Sequence, residues 1–211
     1  MTARAEEQRL SRAQGDTLRP FSERQYQDLA RRLRNASRFS AALALIETWR
    51  EAYPDTARPD HIESDRIATL YAQRANAQGV AACEAFYRRF PSSTLTPEVR
   101  QTDFRLAVRM ADTERARGLG LALWEGRVPD ATAGQRRGAA SLLAAYLVAV
   151  GDVEGGLALY RELFQTAQSA DDQRAMLWRA GVAALLDGQL ERALTNLRAL
   201  VDRRPSGDLA L

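Results

Sequence analysis

No lysine occurs in the sequence, so all 30 basic residues are arginine. The single cysteine, Cys83, excludes an internal disulfide, and the single histidine, His61, limits histidine chemistry to one side chain. No stretch approaches the roughly 20 consecutive apolar residues of a membrane-spanning helix. The sequence therefore predicts neither a disulfide-stapled scaffold nor direct membrane insertion.

The charge balance argues against nucleic-acid binding. The 30 basic and 27 acidic residues leave a formal net charge of +3, whereas nucleic-acid binding requires a concentrated basic surface. An apolar share of 45% is sufficient for a sizeable core. Residues 1–20 are polar and lack the apolar segment of a secretory signal, so we expect them to form a flexible leader.

A helical hairpin recurs along the chain. Its clearest copy runs from Arg174 to Pro205, where apolar residues recur at steps of three and four, the spacing of one helix face. The apolar positions are Leu177, Ala180, Gly181 and Ala184 in the first helix and Leu190, Ala193, Leu197 and Leu200 in the second. A turn at Asp187-Gly188 separates the two helices.

This pattern resembles the tetratricopeptide repeat (TPR). That family places a large and then a small residue in helix A and a glycine in the turn. Helix B has a small residue near its start and an aromatic residue or leucine after it, and a proline closes the repeat. The corresponding positions here are Leu177, Gly181, Gly188, Ala193, Leu197 and Pro205. Small residues are needed where helices A and B approach closely, because a larger side chain would force them apart.

Five such repeats are predicted. They lie near residues 23–56, 60–93, 97–130, 137–170 and 174–207, at successive steps of 37, 37, 40 and 37 residues. One hairpin cannot bury its apolar face alone, so stacked hairpins share a continuous core. The resemblance implies an all-α fold, a right-handed α-solenoid of about five TPR-like hairpins over residues 21–205. Residues 206–211 would start a further repeat or form a frayed tail.

No catalytic, metal or cofactor site is predicted. The residues around the single histidine are acidic, namely Asp55, Asp60, Glu63 and Asp65. Acidic side chains in the first turn of a helix favour its dipole, and one histidine with surface carboxylates lacks the ligand set of a zinc site. We therefore interpret this cluster as structural and Cys83 as a buried packing residue.

The TPR resemblance also implies which residues face the concave groove, because five set positions of helix A point into it. In the first three repeats these positions are mainly basic or polar, and the candidates are Arg24, Gln27, Arg31, Arg34, Tyr71, Gln101, Arg105 and Arg109. In the fifth repeat they are apolar, and the candidates are Trp178, Val182 and Leu185. The groove is expected to be basic in one half and apolar in the other.

We predict that this groove binds a protein or peptide partner. Its arginines would bind carboxylates or phosphates through bidentate hydrogen bonds, and Trp178 would anchor an apolar side chain or helix. The alternative for the arginines is a solvated surface without a ligand. The alternative for Trp178 is packing against a further repeat.

A second resemblance concerns the end of the second repeat. Residues 86–93, with the sequence FYRRFPSS, and Thr96-Pro97-Glu98 after them are similar to a closing turn of bacterial envelope solenoids. This implies a scaffold or adaptor in an envelope, secretion or export assembly, located in the periplasm or cell envelope. Two alternatives stay open: the solenoid region of a larger enzyme such as a soluble lytic transglycosylase, and a regulatory TPR module of a cytoplasmic sensor.

The last predicted helix has an apolar face with no repeat after it. Leu194, Leu197 and Val201 lie on this face, whereas terminal repeats normally carry a polar outer face. We expect either that the chain is a piece of a longer solenoid or that a partner covers this face. Self-association through the face is one form of the second expectation.

Overall fold

The structure is a computed structural model that describes residues 21–203. The predicted leader at residues 1–20, the closing Pro205 and the predicted tail at residues 206–211 lie outside the described residues. Between residues 21 and 203 every regular element is an α-helix, which confirms the predicted all-α class.

The helices form two compact units. The first unit ends at Leu95, and its helices are α1 (Glu23–Asn35), α2 (Phe39–Ala52), α3 (Pro59–Ala72) and α4 (Asn76–Arg89). The second unit begins at Thr96, and its helices are α5 (Thr96–Arg109), α6 (Thr113–Trp124), α7 (Ala133–Ala149), α8 (Val153–Gln165), α9 (Ala170–Leu186) and α10 (Leu190–Asp202). Successive helices pair as five hairpins, the number predicted. The assignment of residues 21–205 to one solenoid domain stays a prediction.

Local side-chain chemistry fixes where several helices begin. Before α1, Ser22 accepts a hydrogen bond from the Gln25 N–H, and the Gln25 side chain accepts one from the Ser22 N–H. Thr132 and Gln135 form the same capping box before α7. Pro59 opens α3, at a position where its missing N–H removes no helical hydrogen bond.

The turn inside each hairpin contains one residue in the left-handed conformation. These residues recur at steps of 37, 37, 40 and 37, and they are Ser37, Arg74, Ala111, Gly151 and Gly188. In the third turn, the Ala111 N–H donates to the Val108 carbonyl (3.2 Å) and the Asp112 N–H donates to the Ala107 carbonyl (3.0 Å). The other four turns contain the same two bonds, which is the Schellman arrangement. The backbone therefore repeats with the step lengths found in the apolar pattern.

The connection between α6 and α7 explains the longer 40-residue step. This connection covers residues 125–132 and includes two further left-handed residues, Gly126 and Asp130. Its Val128 and Ala131 side chains are buried against the second unit's core. The extra residues are therefore packed, and the helices on either side keep the spacing of the other repeats.

Each unit has its own apolar core. In the first unit Tyr26 stacks on Trp49, with ring centroids 6.4 Å apart, and meets Tyr53 edge-on. Cys83 is fully buried, which confirms the predicted packing role. The second core is mainly aliphatic and includes Leu143, whose Cδ2 would stand 3.0 Å from a β-carbon built at Gly120 of α6.

Small residues lie where the helices of a hairpin approach closely. A β-carbon built at Gly181 of α9 would stand 2.8 Å from Leu197 Cδ2 of α10. Ala193, the small residue early in α10, is 2% exposed. Both observations agree with the TPR pattern, in which larger side chains at these positions would separate the helices.

Candidate partner-binding surfaces

Two predicted groove residues of the first unit bind a buried acid on the neighbouring hairpin. Gln27 Nε2 donates to Asp65 Oδ2 (3.0 Å), and Arg34 Nη1 pairs with Asp65 Oδ1 (3.1 Å). Asp65 is only 6% exposed, so its carboxylate requires such partners to be buried at acceptable cost. These bonds join α1 to α3. The structure thus assigns Gln27 and Arg34 a structural contact that the sequence did not predict, and their part in partner binding stays a prediction.

The other three predicted residues of the first unit are more open. Arg24 and Arg31 are exposed on α1, seven residues apart and therefore on the same helix face. Tyr71 is half-buried on α3. The two arginines can reach a ligand in solvent without breaking an internal ion pair between described residues.

Acidic residues near the single histidine join helices of the first unit. Asp60 accepts a hydrogen bond from Ser93 Oγ (2.6 Å), beyond the end of α4. Glu63, which is 9% exposed, accepts from Arg50 of α2 (2.8 Å) and from Arg89 of α4 (3.1 Å). These contacts support the interpretation of this acidic cluster as structural.

In the second unit the predicted polar candidates form a stripe on α5. Gln101 is half-buried, and Arg105 and Arg109 are exposed. The three residues follow one another at steps of four, so they lie along one face of the helix. This stripe places two guanidinium groups at the surface of α5.

A buried ion pair that the sequence analysis missed connects α5 to α6. Asp103 is 1% exposed and accepts hydrogen bonds from Arg115 Nε (3.0 Å, to Oδ1) and Nη2 (3.1 Å, to Oδ2). Hydropathy patterns overlook such a pair, because each residue alone resembles a surface residue. Pairing with Arg115 of the next helix makes the buried carboxylate tolerable.

The predicted apolar candidates lie on α9. Trp178 is 56% exposed, Leu185 is 50% exposed and Val182 is half-buried. They follow at steps of four and three along one face. Large apolar side chains exposed on one face are typical of an interaction surface.

Helix α7 exposes two small side chains on one face. Ala145 and Ala149 are exposed, one turn apart. Arg179 of α9 donates to Ser141 Oγ of α7, so side chains of these two helices are in direct contact. Within the second unit, the first helices of successive hairpins thus present arginine, alanine and tryptophan.

The apolar face predicted for the last helix is present on α10. Leu194 is 51% and Val201 is 54% exposed, whereas Leu197 is half-buried beside Gly181. Leu190, 61% exposed, extends the same face by one turn toward the start of the helix. Self-association through this face stays a prediction.

The described residues contain neither a metal-binding cluster nor a helix that could span a membrane. Across residues 21–203, histidine, cysteine and acidic side chains form no group of three or more that could hold a metal ion. In the same range no helix has both the length and the apolar character required to cross a bilayer.

No family model and no curated protein matches the chain. Its structure is similar to a kinesin light chain from Podosopora anserina with nearly identical TPR-like repeats, at a TM-score of 0.67 and 16% identity, over 89% of this chain and 97% of that chain. BtubC (BKLC) from P. vanneervenii matches at a TM-score of 0.69 and 14% identity, over 99% of this chain and 94% of that chain. MamA from AMB-1 matches at a TM-score of 0.58 and 17% identity, over 89% of this chain and 96% of that chain. The chain therefore has the predicted fold, an all-α solenoid of the TPR type.

Proposed function

We propose that the chain is a non-catalytic protein–protein interaction scaffold that binds a partner segment along the first helices of its hairpins. One observation carries the proposal: α5, α7 and α9 of the second unit expose Arg105, Ala145 and Trp178, respectively. Tryptophan and arginine are the residue types that most often dominate the energy of protein interfaces.

The chemistry of these side chains defines the partner. The guanidinium groups of Arg105 and Arg109 suit carboxylates, which they can bind with two parallel hydrogen bonds. Trp178 and Leu185 suit a large apolar side chain, with Val182 at the edge of the contact. We therefore propose a segment that carries acidic residues and one apolar anchor, with Gln101 as a further polar contact.

The first unit offers a second basic surface of the same kind. Arg24 and Arg31 are exposed on α1, and Tyr71 on α3 supplies an aromatic ring. We propose that this surface binds acidic groups of a partner. Arg34 and Gln27 would act indirectly, because they hold α1 against α3 through Asp65.

We place this scaffold in a bacterial envelope or export assembly, in the periplasm or cell envelope. The similarity of residues 86–98 to the closing turns of envelope solenoids supports this location. The alternatives are the solenoid region of a larger enzyme, such as a soluble lytic transglycosylase, and a regulatory module of a cytoplasmic sensor. Cell fractionation with an antibody against the chain tests the location, and recovery in the cytoplasm alone would exclude an envelope role.

We further propose that the apolar face of α10 supports self-association. Leu190, Leu194 and Val201 are each more than half exposed, although leucine and valine are usually buried in soluble proteins. Sedimentation velocity across a concentration series should show a dimer that a Leu194→Glu/Val201→Glu variant lacks. An invariant monomer at all concentrations would contradict this part of the proposal.

The test of the main proposal is a binding measurement with matched charge variants. Crosslinking of the intact chain in cells, read by mass spectrometry, supplies a candidate partner segment. Its affinity is then measured for the wild type, for Arg31→Glu/Arg105→Glu and for Arg88→Glu/Arg198→Glu. The last variant has the same net charge, but its substitutions lie on exposed positions of second helices.

We expect the Arg31→Glu/Arg105→Glu variant to lose at least about tenfold in affinity, equivalent to about 1.4 kcal/mol. The matched variant should stay within about twofold of the wild type. Trp178→Ala should cost about 2 kcal/mol or more if the indole is the apolar anchor. Equal affinity in both charge variants would refute the electrostatic part, and a neutral Trp178→Ala would refute the anchor.

A further inference from the structure

The second unit contains a cavity of about 520 Å³ between α8, α9 and α10. This volume lies within the range of about 300–1,000 Å³ that is typical of small-molecule pockets. The cavity is separate from the surface proposed to bind a partner segment, because it shares none of the exposed residues of α5, α7 and α9 assigned to that surface.

The walls of the cavity are apolar and partly aromatic. Helix α8 contributes Tyr160 and Phe164, and α9 contributes Met176 and Leu177. Space is left because the facing residues are small or polar: Ala180 of α9 and Thr195 of α10 also line the cavity. Aromatic rings and a thioether are favourable surfaces for a flat or flexible apolar group.

The polar residues of the cavity are arranged with arginine on both sides. Arg161 lines it from α8 and Arg192 from α10. Arg192 is held by the Glu154 carboxylate, which also accepts a hydrogen bond from Gln189 (3.1 Å). The hydrogen bonds from Gln189 and Arg192 lower the pKa of Glu154, so this carboxylate keeps its charge and its pairing with Arg192 to a lower pH than a free glutamate would.

Arg161 and Arg192 are both exposed, but unlike Arg192, Arg161 forms no salt bridge with another described residue. Glu191 is the acidic residue that lines the cavity, and Asn196 and Gln165 add neutral hydrogen-bonding groups. A ligand with a single negative charge can therefore pair with Arg161 without breaking a salt bridge between described residues. A ligand with a positive charge would meet two guanidinium groups.

We propose that this cavity binds a small amphipathic organic anion, with its ring or short chain against Tyr160, Phe164 and Met176 and its carboxylate on Arg161. The apolar walls supply affinity, and the guanidinium group supplies selectivity for the charged form of the ligand. This inference does not rest on the scaffold function proposed above.

The experiment compares decanoate with the neutral 1-decanol as probes of the intact chain. Both are titrated below their aggregation limits in competition with the fluorescent anion 8-anilinonaphthalene-1-sulfonate, and isothermal titration calorimetry checks the stoichiometry. The variants are Arg161→Gln, which removes the charge proposed to bind the carboxylate, and Ala180→Leu, which places a larger side chain in the cavity. Arg198→Gln is the control, because Arg198 is an exposed arginine of α10 that does not line the cavity.

We expect saturable binding of one decanoate per chain. Arg161→Gln should weaken decanoate binding about tenfold and leave 1-decanol within about twofold, since a charge-assisted hydrogen bond contributes about that factor. Ala180→Leu should remove binding of both probes, and Arg198→Gln should change neither. Thr195→Trp, at an exposed position, is a second blocking variant if Ala180→Leu fails to fold.

Three results would overturn the inference. The first is the absence of saturable binding by the wild type. The second is wild-type affinity in a folded blocking variant. The third is loss of binding in Trp178→Ser alone, which would place the probes on the exposed surface of α9.

Discussion

Val148 of α7 lies directly against the backbone of Gly156 in α8. A β-carbon built at Gly156 would stand 2.5 Å from Val148 Cγ2 and 2.8 Å from the Ala144 carbonyl oxygen. Carbon atoms do not approach this closely, so the two helices cross at a distance that only glycine permits. The close crossing accompanies the burial of Leu157 and Tyr160, the next core residues of α8.

Gly156→Ala should therefore destabilise the protein, although alanine favours helices. We expect the free energy of unfolding to fall by about 1–3 kcal/mol, the usual cost of overpacking. Gly118→Ala is the control, because Gly118 is an exposed helical residue with no atom within 4 Å of an added β-carbon. It should raise stability by about 0.5–1 kcal/mol. Urea denaturation measures both, and equal effects of the two substitutions would contradict the close crossing.

Substitutions at the left-handed turn residues should change the free energy of unfolding in opposite directions. Ala111 adopts φ 54°, which costs a residue with a β-carbon about 1–2 kcal/mol, so Ala111→Gly should stabilise the protein by up to about 1 kcal/mol. Gly188, at φ 77°, should lose about 1 kcal/mol when replaced by alanine, even though the added atom meets no neighbour. Ala145→Gly, on an exposed helix face, should be destabilising by about 1 kcal/mol. The midpoint of thermal unfolding gives the sign of each change.

The buried Tyr26 should make the protein less stable at alkaline pH. It is fully buried, its hydroxyl has no hydrogen-bond partner among the described residues, and burial, with a smaller contribution from Tyr53, raises its pKa. The folded state thus favours the neutral phenol. The protein's stability is therefore unaffected by Tyr26 ionisation below about pH 10, the pKa of tyrosine in an unfolded chain. It declines as the pH rises beyond that value.

Tyr26→Phe should remove both the pH dependence and the unsatisfied hydroxyl. We expect a gain of about 1–3 kcal/mol at neutral pH and a weaker fall in stability between pH 10 and 11. Tyr53→Phe is the comparison, because the Tyr53 hydroxyl donates to the Phe21 carbonyl (2.7 Å) and its removal should cost about 0.5–1.5 kcal/mol. Thermal melts over this pH range test both, and a destabilising Tyr26→Phe would show that the hydroxyl is satisfied.

Arg34, which pairs with Asp65, and the exposed Arg31 should differ in how much their replacement lowers the stability of the protein. Arg34→Gln removes the charged partner of the buried Asp65 and should cost about 1.5–3 kcal/mol. Arg31→Gln changes an exposed residue three positions earlier and should stay within about 0.5 kcal/mol of the wild type. Chemical denaturation distinguishes them. A large cost for Arg31→Gln would mean that its side chain is structural and unsuited to report on partner binding.

The fold was predictable because helical hairpins leave a strong signal in the order of residues. Apolar steps of three and four identified the helices, and small residues such as Gly181 marked the close crossings. The turns were only partly predictable, since Ser37, Arg74 and Ala111 occupy a conformation that usually requires glycine. The regular spacing of these turns along the chain, and not the residue types in them, indicated where they lie.

The surfaces were harder to predict for a physical reason. Arg31, Arg105 and Trp178, which the TPR register assigns to the groove, lie at exposed positions, and their place in a groove stays a prediction. It could not show that Arg34 pairs with Asp65, because this pairing depends on how α1 lies on α3. Buried carboxylates are set by tertiary contacts, and no local pattern distinguishes them from the many acidic residues at the surface.

The shared path of the five intra-hairpin turns has a consequence for how such a chain can change length. Joining Ala111 directly to Asp152 would excise 40 residues and still leave one left-handed residue between two helices in phase. Genetic recombination between two equivalent turns thus adds or deletes whole modules without shifting the apolar face of either flanking helix. A change in repeat number should disturb the structure least at these five turns, because they share one backbone geometry although their residue types differ.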